Sequence, residues 1–190
     1  MEAKKNNRSV QRTCTMLKQG LAELMQQKPP SKITVRELTD YVNLNRGTFY
    51  LHYRDLNDLL DQMEDETLSN LQMILDAHKI QEITDSPFFL IRDIFQLLSE
   101  NADLCMALLS DNTHDPFMRK IQTLVREKCF TDWRKVLEGK NEMHFDLFYS
   151  FSISGITGIL EYWFSNGMQQ SVDEIASLTE RFILHGMDAL

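Results

Sequence analysis

This chain lacks the apolar run that a bilayer span requires, about 18 to 20 residues without charge, so a membrane-crossing helix is excluded among its 190 residues. The opening residues MEAKKNNRS are charged and have no apolar follow-on, which argues against a secretory signal. Cysteine is sparse and scattered: Cys14, Cys105 and Cys129 cannot build a disulfide framework or a zinc cluster, and a reduced, cytoplasmic setting is expected. Seven glycines and four prolines are too few for a turn-rich β-protein. The five histidines are dispersed, with no pair at metal-ligand spacing. No Gly-rich phosphate loop, G-x-S-x-G elbow or H-E-x-x-H pattern occurs. Neither an enzyme nor a metal or other cofactor is expected.

What is present favours helices. Leucine, ten methionines and a 43% hydrophobic share can fill an all-α core. The charge is unevenly spread. The net charge is −8, yet residues 1–54 hold ten cations against four anions and the remainder holds ten against 24. A basic first quarter on an acidic body points to a polyanionic partner for that quarter.

The periodicity predicts about nine helices and no strand. Val10, Cys14, Leu17, Leu21 and Leu24 form one stripe over about Ser9–Gln27, stopped by Pro29-Pro30. Thr34 and Glu37 make a T-x-x-E capping box, and Ile33 with Leu38 a hydrophobic staple. Val35, Leu38 and Val42 are assigned to the inner face of that second helix. Asn43-Leu44 forms a tight turn in which Asn43 tolerates a left-handed conformation, and Asn45 caps a third helix. Phe49 and Tyr53 close a small three-helix core, and Asp55 caps a fourth helix running to about Ala77. Ser86-Pro87 and Asp115-Pro116 each pair a cap residue with proline at the first helical position, opening helices near 87–99 and 116–138, with a shorter one near 102–110. Gly139 reads as a stop for the longer of these. An apolar helix covers about Phe145–Ser165, and a Ser171–Glu174 capping box opens the last one.

Two short helices joined by a turn at TVRELTDYVNLNRGTFYLHY form a helix-turn-helix, which seats its second helix in the major groove of DNA. The expected division is a DNA-binding domain over 1–55, with the motif at about 33–53, and a helical effector-binding and dimerisation domain over 56–190. Arg46 suits a bidentate bond to a guanine edge. Gly47 allows close backbone approach. Thr48 suits a phosphate or a thymine methyl, and Asn45 sets the start of the reading helix. Thr34 places free N–H groups of the second helix toward a phosphate, and Lys32 and Arg36 add charge.

The block ITVRELTDYVNLNRGTFYLHYRDLNDLL resembles the DNA-binding domain of TetR/AcrR-type transcriptional regulators. The resemblance implies that Tyr50 and His52 bind phosphates and that the protein is a homodimer on a palindromic operator. It also implies a cavity among the central helices for a small-molecule effector, and so a ligand-responsive repressor. An activator or switch controlled by a protein partner is the alternative. The segment GITGILEYWFSNGMQQSVDEIASL is similar to the branch that includes regulators of dihydroxyacetone-kinase operons. The chain departs from the family pattern at Leu56, where lysine is common.

In LFYSFSISGITGIL, small residues let a second backbone approach, so Ser154, Gly155 and Gly158 with Tyr162 are the expected dimer face. An ordinary core helix is the other reading. The aromatic and Met residues Phe88, Phe89, Phe95, Met106, Phe117, Trp133, Phe148, Tyr149, Tyr162 and Trp163 read as core rather than pocket. Asp146 and Glu161 suit either a cationic ligand or the solvent edge. The effector and its contact residues are not specified by these patterns.

Overall fold

The computed structural model describes residues 2–79, 86–109, 116–136 and 142–186. Among the described residues there are nine α-helices and no strand. They are α1 (Glu2–Met25), α2 (Val35–Tyr41), α3 (Arg46–Tyr50), α4 (Leu56–Ala77), α5 (Phe88–Glu100), α6 (Ala102–Leu109), α7 (Pro116–Val136), α8 (Glu142–Ser165) and α9 (Val172–His185). A single 3-10 turn, Pro30–Lys32, separates α1 from α2. The expected Asp115 cap and the Gly139 stop lie outside the described residues, as do the side chains of Cys129 and Trp133.

The chain forms two compact units. The first comprises 1–66 and 103–111, the second 67–102 and 112–190. In the first unit α1 packs on α2 and α2 on α3. Leu17, Leu21, Leu24, Leu38, Phe49, Tyr53 and Leu59 are buried there, so most of the stripes read from the sequence are the core, with Cys14, Val35 and Val42 half-buried at its edge. Val10, read as part of the α1 stripe, is instead 39% exposed. Helix α1 starts well before Ser9, because nothing in the polar segment KKNNRS breaks a helix.

In the second unit α5 lies along α9, and α9 also meets α8. Phe95 stacks on Trp163, with ring centroids 6.1 Å apart, and both are buried. The Trp163 indole donates to the Gln170 carbonyl at 2.9 Å, which satisfies its one polar atom. Phe117 is likewise fully buried.

Local start signals have mixed outcomes. Ser171 and Glu174 form the full reciprocal capping box. Those bonds, first from the Ser171 hydroxyl and then from its backbone N–H, hold the Glu174 carboxyl below its usual range. The expected box at Thr34 is only half made. Thr34 accepts from the Glu37 N–H at 3.2 Å, but the Glu37 carboxylate turns to Lys28, 2.6 Å away. A charged partner outcompetes a backbone amide for that carboxylate.

The expected Ser86 cap also fails. Pro87 takes the N-cap position and α5 begins at Phe88. Ser86 instead donates its hydroxyl to Glu180 of α9 at 2.5 Å, and the same Glu180 oxygen accepts the Phe88 N–H at 3.2 Å. A carboxylate from a distant helix does the capping.

Candidate nucleic-acid interface

The helix-turn-helix is built by short-range chemistry. Leu38 and Thr39 of α2 are buried, and Thr39 bonds back to the carbonyls of Val35 and Arg36. The chain then reverses at Asn43, whose φ is 53°, a left-handed conformation that asparagine adopts more readily than most residues. Leu44 N–H returns to the Thr39 carbonyl at 2.8 Å and closes the turn. Asn45 stands at the N-cap of α3, accepting the Gly47 N–H at 2.7 Å through its side-chain oxygen. On the inner side Phe49 is fully buried and meets Tyr50 edge-on at 5.4 Å.

The outer side of α3 is open. Asn45, Arg46, Gly47 and Tyr50 are exposed, with Thr48 and His52 half-buried. Tyr50 is 58% exposed and Leu51, at the C-terminal end, is 80% exposed. Five of the expected groups thus share one short helix and its N-cap. Thr34 and Arg36 are exposed on the preceding cap and helix, where Arg36 lies 3.5 Å from Asp40. Leu51 was missed by sequence reasoning. Its alternation with polar neighbours gave no signal; only the three-dimensional exposure of an apolar side chain beside Tyr50 marks it.

The flanking residues fix this presentation. Asp55 accepts the Asp58 N–H at 2.9 Å and starts α4. Asp58 accepts the Arg54 N–H at 2.8 Å, which is the main reason its carboxyl sits below the usual range. Tyr53 is buried and its hydroxyl lies against the Cys14 thiol, so burial first and that contact second raise the phenol's pKa. Leu56, the departure from the family pattern, is half-buried at the start of α4.

In the second unit, α8 presents an apolar stripe to solvent. Leu147, Phe151 and Tyr162 are exposed, Phe151 at 70% and Tyr162 at 66%. Ser154, Gly155 and Gly158 lie between them and are exposed, and a methyl group added at either glycine would meet nothing within 4 Å. Asp146 is paired with Arg126 at 3.0 Å, while Glu161 is half-buried. A groove of about 600 Å³ is lined by Leu68, Ser69 and Gln72 of α4 and by Arg119, Lys120, Thr123, Leu124 and Glu127 of α7. Among the described residues no cluster of His, Cys, Asp and Glu could hold a metal, and no helix is long and apolar enough to cross a membrane.

An all-helical chain with a capped helix-turn-helix at one end defines a transcriptional-regulator fold. A family model described as the transcriptional regulator C-terminal region, of the TetR group, matches residues 85–185. The chain belongs to the TetR family of transcriptional regulators. Solved structures agree on the fold. A TetR regulator from Streptococcus agalactiae is 20% identical, with 95% of this chain and 98% of that chain covered and a TM-score of 0.57. The dihydroxyacetone kinase operon activator DhaS is 16% identical over 93% and 96%, with a TM-score of 0.60. FadR from Bacillus subtilis, solved in complex with stearoyl-CoA, is 13% identical over 91% and 98%, with a TM-score of 0.64. No curated protein matches the chain in sequence.

Proposed function

We propose that this protein is a homodimeric, ligand-responsive repressor that binds a palindromic operator through α3. The observation that carries the reading is the outer face of α3, where Arg46, Gly47 and Tyr50 stand exposed behind a fully capped, left-handed turn. Arg46 reads a base edge, while Tyr50, His52, Thr34 and Arg36 hold phosphates and set register. Asn45 positions the helix, Gly47 lets the backbone come close, and Thr48 adds a phosphate or thymine contact. Functionally, residues 1–55 are the DNA-binding domain and 56–190 the effector and dimerisation domain.

Dimerisation is assigned to the α8 stripe around Ser154, Gly155, Gly158 and Tyr162. An exposed apolar face of this kind, with glycines open to close approach, is costly to leave in water. Two copies would then place their α3 helices on half-sites about 34–36 Å apart, or a multiple of that. The effector is assigned to the α4–α7 groove. Leucines beside Arg119 and Lys120 suit an anionic amphiphile, and a fold relative carries stearoyl-CoA. The effector acts by binding the DNA-competent and DNA-incompetent states with different affinity. The groove's exposed rim also favours a second reading, control by a protein partner, and one fold relative is an operon activator.

Selection of bound duplexes from a random-sequence pool tests the proposal. The expected product is a palindrome, and Arg46→Ala should cost about 1–3 kcal/mol and relax preference at one position per half-site. A uniform loss across all sequences would move Arg46 to the phosphate contacts. Failure to enrich any duplex at low salt would remove the DNA reading.

A further inference from the structure

Burial along α3 and its last turn falls into rows of residues four apart. Phe49 and Tyr53 are buried, Thr48 and His52 are half-buried, and the pairs Arg46 with Tyr50 and Gly47 with Leu51 are exposed. Leu51 belongs to the helix. It is the C-cap, with φ −75° and ψ −19°, and its N–H returns to the Gly47 carbonyl at 3.2 Å. At about 100° per residue, Gly47 and Leu51 each stand roughly 160° round the axis from the fully buried Phe49. They form the outermost line of the helix. Arg46 and Tyr50 flank that line on one side, Thr48 and His52 on the other.

The two members of the line offer different things. Gly47 has no side chain, so only backbone stands there. One turn further on, Leu51 is 80% exposed, the highest value for any large apolar side chain among the described residues. It is no part of the α8 stripe, which belongs to the second compact unit. A leucine side chain neither donates nor accepts a hydrogen bond, so it reads no donor or acceptor pattern and holds no phosphate. In the major groove the apolar group on a base edge is the C5 methyl of thymine. Contact between the two takes both surfaces out of water.

We propose that Leu51 is a specificity-determining residue that selects thymine at one position of each half-site by packing on its C5 methyl. This rests on the DNA reading of α3. Arg46 then selects one base pair by hydrogen bonding, and Leu51 selects another without any hydrogen bond. The preference is for the methyl group itself. Deoxyuridine pairs as thymine does but lacks that methyl, so it is discriminated against at the Leu51 position.

The test uses the full chain and a palindromic duplex recovered by selection. Each thymine of the half-site, on either strand, is replaced in turn by deoxyuridine in both half-sites. The exchange keeps every hydrogen-bonding group and removes only the methyl. With that methyl worth about as much as one buried methylene, exchange at one position should weaken wild-type binding about fourfold per half-site, roughly fifteenfold for both. Leu51→Ala should bind the thymine and deoxyuridine duplexes alike at that position. Leu51→Met, which keeps an apolar side chain of similar reach, should retain most of the difference. Each protein is compared with itself on two duplexes, so a small change in folding cancels. A deoxyuridine effect undiminished in Leu51→Ala would assign the methyl to another side chain, such as Thr48, and overturn the proposal. A wild-type protein indifferent to every exchange, or a selected half-site without an A·T pair, would overturn it while leaving the α3 reading intact. If the wild-type protein enriches no duplex at all, the α3 reading itself falls and this one with it.

Discussion

Gly20 of α1 and Val42 at the end of α2 are so close that a methyl group on Gly20 would lie 2.3 Å from Val42 Cγ1 and 3.2 Å from Leu38 Cδ1. The glycine is not there for its backbone freedom, because it sits inside a helix. It is there to let α2 seat directly on α1. Val42 immediately precedes the left-handed Asn43, so this contact anchors the turn from which α3 is aimed.

Gly20→Ala should therefore destabilise the first unit despite the better helix propensity of alanine. Overpacking against a stiff, β-branched valine costs about 1–3 kcal/mol, against a propensity gain of about 0.8–1 kcal/mol. Chemical denaturation should show a net loss, and Val42→Ala added to Gly20→Ala should recover part of it. A stabilised single variant would mean the helices separate freely.

Glu180 joins α9 to the start of α5 through Ser86 and Phe88. Glu180→Ala should remove that cap and cost about 1–2 kcal/mol. Hydrogen exchange at the first turn of α5 should rise more than exchange in α1. Equal protection in the variant and the wild type would show that the cap is replaceable by water.

The Ser171–Glu174 box makes a pH prediction. The Glu174 carboxyl is held below its unfolded value, so its contribution is present above the unfolded pKa of about 4.3 and is lost as pH falls through the lower folded value. Ser171→Ala should be less stable than the wild type near neutrality, and the difference should shrink in acid. Thermal melting across pH 3–7, a range of about four units around the carboxylate region, would reveal a constant difference if the box were not responsible.

Leu56 stands where related regulators commonly carry lysine. Leu56→Lys should add one phosphate contact per bound subunit and steepen the salt slope by about 0.9 each. Binding measured against salt decides this; an unchanged slope would place the start of α4 away from the backbone.

The parts legible in the sequence are those whose causes lie within four residues of one another. Thr34 and the Glu37 N–H, the left-handed Asn43, the Asn45 cap, the Asp55 cap and the Ser171 box all follow from side chains acting on their own segment. The candidate reading face was legible for the same reason, since α3 is a short helix between two strong local signals. What escaped depends on distant partners. Glu37 turns to Lys28 on the preceding segment, and Glu180 caps a helix more than ninety residues earlier. No short window of sequence contains both ends of the Glu180 bond, and the nine-residue step from Lys28 to Glu37 crosses a helix break that hides their approach. The exposure of Leu51 likewise belongs to packing rather than pattern.

Sedimentation of the full chain with a labelled palindromic duplex at about 50 mM salt, where phosphate contacts are strongest, tests the central claim most directly. Two chains per duplex are expected, with co-sedimentation lost in Arg46→Ala/Tyr50→Ala and the chain monomeric in Phe151→Glu. A wild-type chain that sediments apart from every duplex offered, or binds as one chain per palindrome, would contradict it.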